Sequence, residues 1–503
     1  MFSPRPGARR DPVQGHELHP VESALVAITA VHLCLLPWCL GGMHLWTQLA
    51  SLALSLVGFT VSLAPRRVRV DTITGTAVQQ PLSRLVRFPL FWLGLPLLAY
   101  VAIQGLNPAW TFATDRDSWW LVPVNYVPWL PSGVAGPLER ASPWRCLAVY
   151  GSLWLLTCSV WAGLFRRQSL RTLFSVLVAN AFLLSMVGIL EQLTASQKIL
   201  WFYTPSNDSF VSTFIYRNHA GPFFNMMVAL SVGLGWWHLQ RERRAVERRG
   251  PSILYSFLAA FIGVMVLFSY SRISIIVLLI FTATAAFALT LGISSGSETR
   301  RDRRALAPGA IALLVFIGVG LATLRSDKLW KRFEGAVADP VASIHDRAVV
   351  RAAADDMLAD RWLLGWGAGS FRYCFPLYAQ RYPEIYSLPS GWRKYWEHAH
   401  DDLIEFPIEL GLAGMLPVLG MLGFVGWRLW RARFWRNAIA LSAVLGCALI
   451  FAHASVDFVF QNPAVLFTWS FLLLGALRWS ELDPPLGRRL ALAARWPQGP
   501  TAP

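Results

Sequence analysis

The sequence predicts an all-α integral membrane protein of about 12 transmembrane helices with one large loop on the outer side, residues 325–401, that contains short helices. Three observations predict it. Of 503 residues, 55% are hydrophobic and only 15% charged, against roughly 25% charged in soluble domains, and the mean hydropathy is +0.44. Apolar runs recur at the length of about 20 residues that a helix needs to cross a bilayer. Arginines gather in alternate connections between those runs, which is the positive-inside pattern. The net charge of +16 therefore reads as topology. A nucleic-acid partner is not expected, because that reading needs a basic patch on a soluble face.

Residues 1–20 form a cytoplasmic tail. Arg5, Arg9 and Arg10 precede an apolar run too long for a signal-peptide core, with no clear cleavage site. Residues 21–324 then hold nine spans, at 21–42, 45–64, 88–106, 146–165, 172–194, 221–239, 253–270, 273–293 and 310–324. The ninth is the shortest, and the charge alternation requires it. Residues 402–480 hold three more, at 403–426, 438–458 and 463–480, and 481–503 form the C-terminal tail. Basic clusters fall at Arg66, Arg67, Arg69, Arg84 and Arg87, at Arg166, Arg167 and Arg171, and at Arg241 to Arg249. They continue at Arg300 to Arg304, at Arg428 to Arg436 and at Arg488 to Arg495, which puts both termini in the cytoplasm. Lys198, Lys328, Lys331 and Lys394 fall on the outer side, three of them in the long loop, where the charge rule does not apply. Of six cysteines, five lie in expected spans and Cys374 stands alone in the loop, so no disulfide framework or metal set follows.

Three outer segments stand apart. Residues 107–145 are rich in Trp and Pro, and rings such as Trp110, Trp119, Trp120, Trp129 and Trp144 favour the membrane interface, although they also stack on sugars. Residues 195–220 end in Tyr216-Arg217-Asn218-His219-Ala220 at the mouth of the sixth span. The long loop suggests an amphipathic helix over 345–362, with Val349, Val350, Ala353, Met357 and Trp362 as its apolar positions, broken by Gly365-Trp366-Gly367-Ala368-Gly369. No strand precedes those glycines, so they do not read as a dinucleotide fingerprint.

The polar residues of interest share the outer side. Arg217 lies before the sixth span, and Arg272 sits in the turn Ser271-Arg272-Ile273 between the seventh and eighth. Arg347 opens the loop helix with Arg351 one turn on, and His398 and His400 close the loop. Asp401, Asp402 and Glu405 follow at the start of the tenth span, where carboxylates cap a helix and complement its dipole. A lone arginine in a tight outer turn opposes the charge bias, so Arg272 is either snorkelling to lipid phosphate or used for function. Guanidinium forks bind pyrophosphate bidentately, and an imidazole can take a proton near neutral pH. Together they suit a lipid-linked pyrophosphate leaving group and an acceptor hydroxyl. His398 and His400 are two residues apart, unlike metal pairs on a helix, so neither metal nor cofactor is expected. His453 and Asp457, one turn apart, are expected to pair with each other.

On these residues the chain resembles the O-antigen ligase and Wzy-type polymerase superfamily of bacterial polytopic glycosyltransferases. His400-Asp401, Gly411 and Gly414 fit the ligase motif of His, a small polar residue, nine residues, Gly, two residues and Gly, with Asp401 where Asn, Ser or Gln is usual. Arg217-Asn218-His219 is similar to the family's Arg-Asn-His-Phe-Ala segment, and Ser271-Arg272-Ile273 to its Ser-Arg-Gly turn. Asp346-Arg347 and Asp360 to Gly367 resemble its loop helix and Gly-x-Gly turn, so the likeness covers about 190–414. The resemblance implies a metal-independent transferase of the inner membrane with a periplasmic active site. Its donor would be an undecaprenyl-pyrophosphate-linked glycan, and its acceptor lipid A-core, another glycan, or a protein. Arg272 and Arg347 would hold the pyrophosphate, and His400 would be the general base or orient the acceptor. Arg217, His219, Arg351, His398, Asp401, Asp402 and Glu405 would line the substrate. Membrane lipids and, for a polymerase, a chain-length regulator are the implied partners. A transporter of lipid-linked glycan and a non-catalytic envelope scaffold are the alternative classes.

Overall fold

Helix starts in this chain are marked by proline and by short capping side chains, which supply a preset φ and an acceptor for unpaired N–H groups. α1 (Pro20–Trp38) opens on Pro20, and α2 (Leu45–Ser62) follows. Strands β1 (Arg66–Arg69) and β2 (Thr76–Gln79) pair antiparallel before α3 (Pro81–Val86) and α4 (Pro89–Leu106). Next come β3 (Pro108–Thr114), β4 (Trp119–Pro123) and β5 (Gly133–Ala135). α5 (Pro143–Gly163), capped by Ser142, leads to α6 (Arg167–Leu193), α7 (Arg217–Ala245), α8 (Ser252–Phe268) and α9 (Arg272–Leu291). The long loop holds α10 (Pro340–Asp360) and the one-turn helices α11 (Phe371–Cys374), α12 (Pro376–Ala379) and α13 (Pro383–Tyr386). α14 (Asp402–Arg431), α15 (Ala438–His453) and α16 (Pro463–Glu481) are capped by Asp401, Asn437 and Asn462. This computed structural model describes residues 18–69, 76–116, 118–206, 209–245, 250–291, 318, 340–386 and 395–482.

Among the described residues, α1, α2, α4, α5, α6, α14 and α16 are long and apolar enough to cross a membrane. Helix α8, residues 272–288 of α9, and α15 are shorter apolar helices. The expected ninth span, 310–324, lies outside the described residues apart from 318, as do Lys328, Lys331 and Lys394. Helix α7 is the central post, with every residue from 219 to 231 buried, packed against α8 and α15. Two of its buried side chains bond across helices: Asn225 Nδ2 donates to the Ser274 carbonyl at 2.9 Å and Ser231 Oγ to that of Tyr255 at 2.8 Å.

The two ends of the bundle differ in chemistry. At one, Glu22 Oε1 accepts the N–H groups of Phe165 and Arg166 and the Ser169 hydroxyl, with Arg66 3.8 Å from its other oxygen. Arg167 donates to the Trp479 carbonyl there, and Arg428 and Arg478 share Glu481. At the other end lie the starts of α2, α5, α7, α9, α14 and α16, beneath a second core. That core joins Val350, Ala353, Ala354 and Met357 of α10 to Phe371, Phe375 and Tyr378, and to Phe112 and Val134 of the sheet.

The sheet departs from the all-α expectation. Its order is β4-β3-β5, antiparallel then parallel. An aromatic, Thr-rich segment outside the bilayer still needs partners for its backbone, and a sheet supplies them. The tryptophans divide accordingly. Trp119 stacks on Phe112 at 5.8 Å and packs edge-on to Tyr373 and Tyr395, inside this second core, while Trp120, Trp129 and Trp144 stay exposed. The loop helix is Pro340–Asp360, and Trp362, beyond its end, is exposed instead of forming part of its apolar face.

One backbone device fixes the loop to the bundle. Helix α14 breaks at Gly411, whose φ of 63° and ψ of 175° suit glycine alone. The break frees carbonyls and N–H groups, and residues 362–367 take them. The N–H groups of Trp366 and Gly367 donate to the carbonyls of Ile408 and Glu409 at 2.8 and 2.9 Å. Those of Leu412 and Ala413 donate to Trp362 and Leu363 at 2.8 and 3.0 Å. Gln104 braces the joint, donating to the Glu409 carbonyl and accepting from the Ala368 N–H, both at 3.0 Å. A Cβ at Gly365 would lie 2.5 Å from the Gly411 nitrogen, so both glycines are required for contact.

Candidate active site

The short connection between α15 and α16 carries Asp457 and Phe458 into the middle of the polar end, and four rings close round Phe458. His398 stacks on it at 4.4 Å and Tyr216 at 5.2 Å, while His219 and His400 meet it edge-on at 5.1 and 4.8 Å. Three segments far apart in sequence thus converge: the start of α7, the end of the long loop, and residues 454–462.

Helix α14 grips this connection through its first residues. Asp402 Oδ2 accepts the Phe460 N–H at 2.7 Å and its own N–H donates to the Ala454 carbonyl at 2.8 Å. Asp401 caps the helix by accepting the Leu403 N–H at 2.9 Å, and its other oxygen pairs with Arg351 of α10. Glu405 accepts the His398 Nδ1–H and the Ala399 N–H, both at 2.7 Å. All three carboxylates are therefore engaged in holding helix, loop and connection together. Capping, the plainer of the two readings of this acidic run, accounts for the Asp401 contact to Leu403, while the remaining contacts run to α10, the loop and the connection.

The histidines separate by role. His398 has Glu405 on Nδ1 and Arg372 Nη2 at 3.3 Å from Nε2. A guanidinium can only donate, so Nε2 accepts and the ring is neutral with its proton on Nδ1. Burial, with Arg372 adding to it, pulls the His398 pKa down to about 3. His219 is buried too: Nε2 donates to the Phe458 carbonyl at 3.2 Å and Nδ1 faces Asn462 Nδ2 at 3.5 Å. It positions the connection from below. His400 differs, because its side chain keeps 24% of its surface exposed while Asp457 beside it keeps 1%. Its Nδ1 lies 3.5 Å from Asp457 Oδ1, and its φ of 55° is the left-handed region that a side chain rarely adopts. Backbone strain of this kind persists where surrounding structure enforces it, commonly at functional sites.

Asp457 is held on every side. Oδ1 accepts the Phe458 N–H at 2.9 Å and Oδ2 accepts from Asn218 Nδ2 at 2.5 Å. Burial pushes its carboxyl up, but His400, His453 and the Phe458 N–H more than offset that, so it sits below the ordinary carboxylate value. The expected pairing of His453 with Asp457 is replaced by this arrangement. His453 is buried and neither ring nitrogen has a hydrogen-bond partner among the described residues. The same charge acts on Tyr216: burial first, then Asp457, pushes its hydroxyl up to about 12.

The arginines surround this pair. Arg347 is exposed and its Nη1 donates to the Val456 carbonyl at 3.0 Å, next to Asp457. Arg351 joins Asp401 and also lies 3.6 Å from Asp355. Arg217, half-buried, begins α7 beside Tyr216 and Asn218, its N–H bonded to the Ser209 carbonyl. Arg272, also half-buried, begins α9, where Gly221 lets α7 press against Ser274. Among the described residues, no hydrogen bond or ion pair holds the Arg272 guanidinium. The structure therefore joins His400, His398, His219 and Arg347 directly through 456–458. It adds Arg217 by adjacency and Arg272 one helix further out.

Asp457, Phe458, Asn218 and Arg372 went unread in the sequence as members of this group. A carboxylate at the outer end of the expected span 438–458, on the same side as His400, was the available signal for Asp457.

Residues 256–419 match the family model described as O-antigen ligase. That stretch is similar to the O-antigen ligase family. The matched stretch runs from within α8 to beyond the break in α14 and takes in Arg272, Arg347, His398, His400, Gly365, Gly411 and Gly414. The match supports a membrane enzyme of O-antigen ligase or polymerase type. Arg217, His219 and Asp457 lie outside the match, so the fold supplies part of the cluster from beyond it. No curated protein matches the chain.

Proposed function

We propose that the protein transfers or polymerises an undecaprenyl-pyrophosphate-linked glycan on the periplasmic face of the bacterial inner membrane, in O-antigen or exopolysaccharide synthesis. The observation that carries this reading is the pairing of His400 with the buried Asp457, beside Arg347, at the end of the bundle opposite the arginine-rich one. Arginine clusters favour the cytoplasmic side, which leaves the His400 end facing out, both termini inside, and residues 325–401 on the periplasmic side. That loop and the sheet then form a platform over the site for the acceptor.

In this mechanism Arg347, Arg272 and Arg217 hold the donor diphosphate through charge-assisted hydrogen bonds. The acceptor hydroxyl approaches the exposed edge of His400, whose Nε2 takes its proton as the oxygen attacks the anomeric carbon. The new carbon–oxygen bond forms as the bond to the diphosphate breaks, and undecaprenyl pyrophosphate leaves with the electron pair. Displacement in line inverts the anomeric centre. Asp457 stabilises the imidazolium and orients the ring. The reaction needs no nucleotide sugar, and this reading routes no step through a metal ion.

Deletion of the gene, with analysis of lipopolysaccharide and exopolysaccharide, separates the acceptor classes. Capped core without long chains indicates polymerase; bare core with accumulated lipid-linked polymer indicates ligase. Arg272→Ala, Arg347→Ala and His400→Ala should each abolish transfer at normal membrane levels, and full activity in all three would end the proposal.

A further inference from the structure

The arginine-rich end carries a cleft that the glycan chemistry does not use. Helix α3 packs there against α4 and α5. Its Leu82 and Val86, one turn apart, are 60% and 47% exposed, beside Trp92 at 53%, whose Nε1–H donates to the Val86 carbonyl at 2.8 Å. A short helix with one apolar side bare, at the end of a membrane bundle, lies at the interface with lipid against that side.

Its other side is polar. Gln80, Ser83, Arg84, Arg87 and Trp161 line a cleft of about 360 Å³ with no carboxylate among them. Arg84 is fixed by stacking over Phe165 at 4.4 Å and donates to the Leu164 carbonyl at 3.4 Å. Arg87 is exposed, and among the described residues no side-chain hydrogen bond or ion pair engages it. The Trp161 floor also lies beneath Arg478 at 4.7 Å and Arg428 at 5.9 Å, and those two share the single carboxylate of Glu481. Positive charge therefore exceeds negative charge here, next to an apolar surface. That combination recognises a phosphate attached to hydrocarbon tails.

We propose that this cleft binds an anionic phospholipid. Arg84 and Arg87 take the phosphate, the Ser83 hydroxyl and the Gln80 amide complete its shell, and the acyl chains lie on Leu82, Val86 and Trp92. A zwitterionic headgroup adds a cation that the lining has no carboxylate to meet, so the site discriminates by charge.

The test uses the full chain, delipidated in detergent and titrated with phosphatidylglycerol or phosphatidylcholine. Bound lipid is counted by native mass spectrometry and Tm is followed in parallel. Phosphatidylglycerol should bind and raise Tm where phosphatidylcholine does not. Arg87→Gln, with the lipid-free Tm of the wild type, should weaken phosphatidylglycerol binding about tenfold or more, the scale of one lost charge-assisted hydrogen bond. Arg84→Lys keeps the charge, loses the planar fork and should fall between. Arg431→Gln, an exposed arginine at the same end outside the cleft, should bind as the wild type. Equal binding of both lipids, wild-type affinity in Arg87→Gln, or the same Tm rise from inorganic phosphate alone would overturn the proposal, the last reassigning the cleft to free phosphate.

Discussion

Gly411→Ala should release the long loop from the bundle. At φ 63° and ψ 175° the backbone there is in a region that costs a side chain about 1–3 kcal/mol. The new Cβ would lie 2.4 Å from the Leu363 carbonyl oxygen and 2.5 Å from the Gly365 nitrogen, both backbone atoms that cannot rotate away. Relief comes only by parting 362–367 from 408–413, which gives up the four backbone hydrogen bonds across that seam. At about 1 kcal/mol net for each bond, the loss reaches roughly 4 kcal/mol, which shifts docking about a thousandfold. The loop also delivers Arg347 and His400, so transfer should fall with it. Limited proteolysis of detergent-purified protein reads the docking directly, as the rate of cleavage within 361–370, and glycan transfer is measured in cells. Gly423→Ala on the same helix, where an added Cβ meets nothing within 4 Å, is the control and should be silent. Wild-type cleavage and transfer in Gly411→Ala would refute the interlocked-backbone argument.

Asp457→Asn should lower transfer about 100- to 1,000-fold without loss of the folded protein, within the range that general acid–base catalysis contributes. Asp457→Asn added to His400→Ala should cost little beyond His400→Ala alone, because residues that act as a unit are not additive; a further drop of the full Asp457→Asn size would separate the two side chains. Phe458→Ala removes the ring that His398, His400, His219 and Tyr216 share, so it should impair transfer and lower Tm together. Stability should also depend on pH through His398. Its folded pKa of about 3 lies below the ordinary 6.5, so between these values the unfolded chain binds a proton that the folded one does not. Stability is therefore full above about 6.5 and is lost as pH falls toward 3. Tm measured from pH 7.5 to 4.5 should fall, and His398→Asn should flatten that slope relative to the wild type.

What was legible in the sequence follows from the range of the forces. Apolar runs report burial in lipid residue by residue, so helices such as α1, α6 and α14 could be read locally, and so could the arginine bias. The β4-β3-β5 sheet could not, because its pairing depends on strands separated by loops, and tryptophans such as Trp119 could have faced lipid or a core equally well. His453 and Asp457 sit one turn apart, which invited a local pair. The chain turns out of helix at Ala454, and that turn carries Asp457 away to a histidine 57 positions earlier, the separation of His400 and Asp457. The glycines at 365 and 367 looked like the break after the loop helix and Gly411 like a motif position, whereas 365 and 411 are two halves of one contact and 367 packs on Gly133.

The three histidines of the site show how structure narrows a list that sequence leaves open. All three touch Phe458, so proximity does not choose among them. Hydrogen-bond inventory does. His219 has both ring nitrogens facing protein groups, and His398 is held between a cation on one nitrogen and a carboxylate on the other. Neither can accept a proton from a substrate without breaking a buried contact, which is costly where water cannot replace it. His400 has only Asp457 near Nδ1, 3.5 Å away, and its Nε2 edge is free of protein partners among the described residues. A base needs one nitrogen backed by a carboxylate and the other open. Among these three rings, His400 alone meets both conditions.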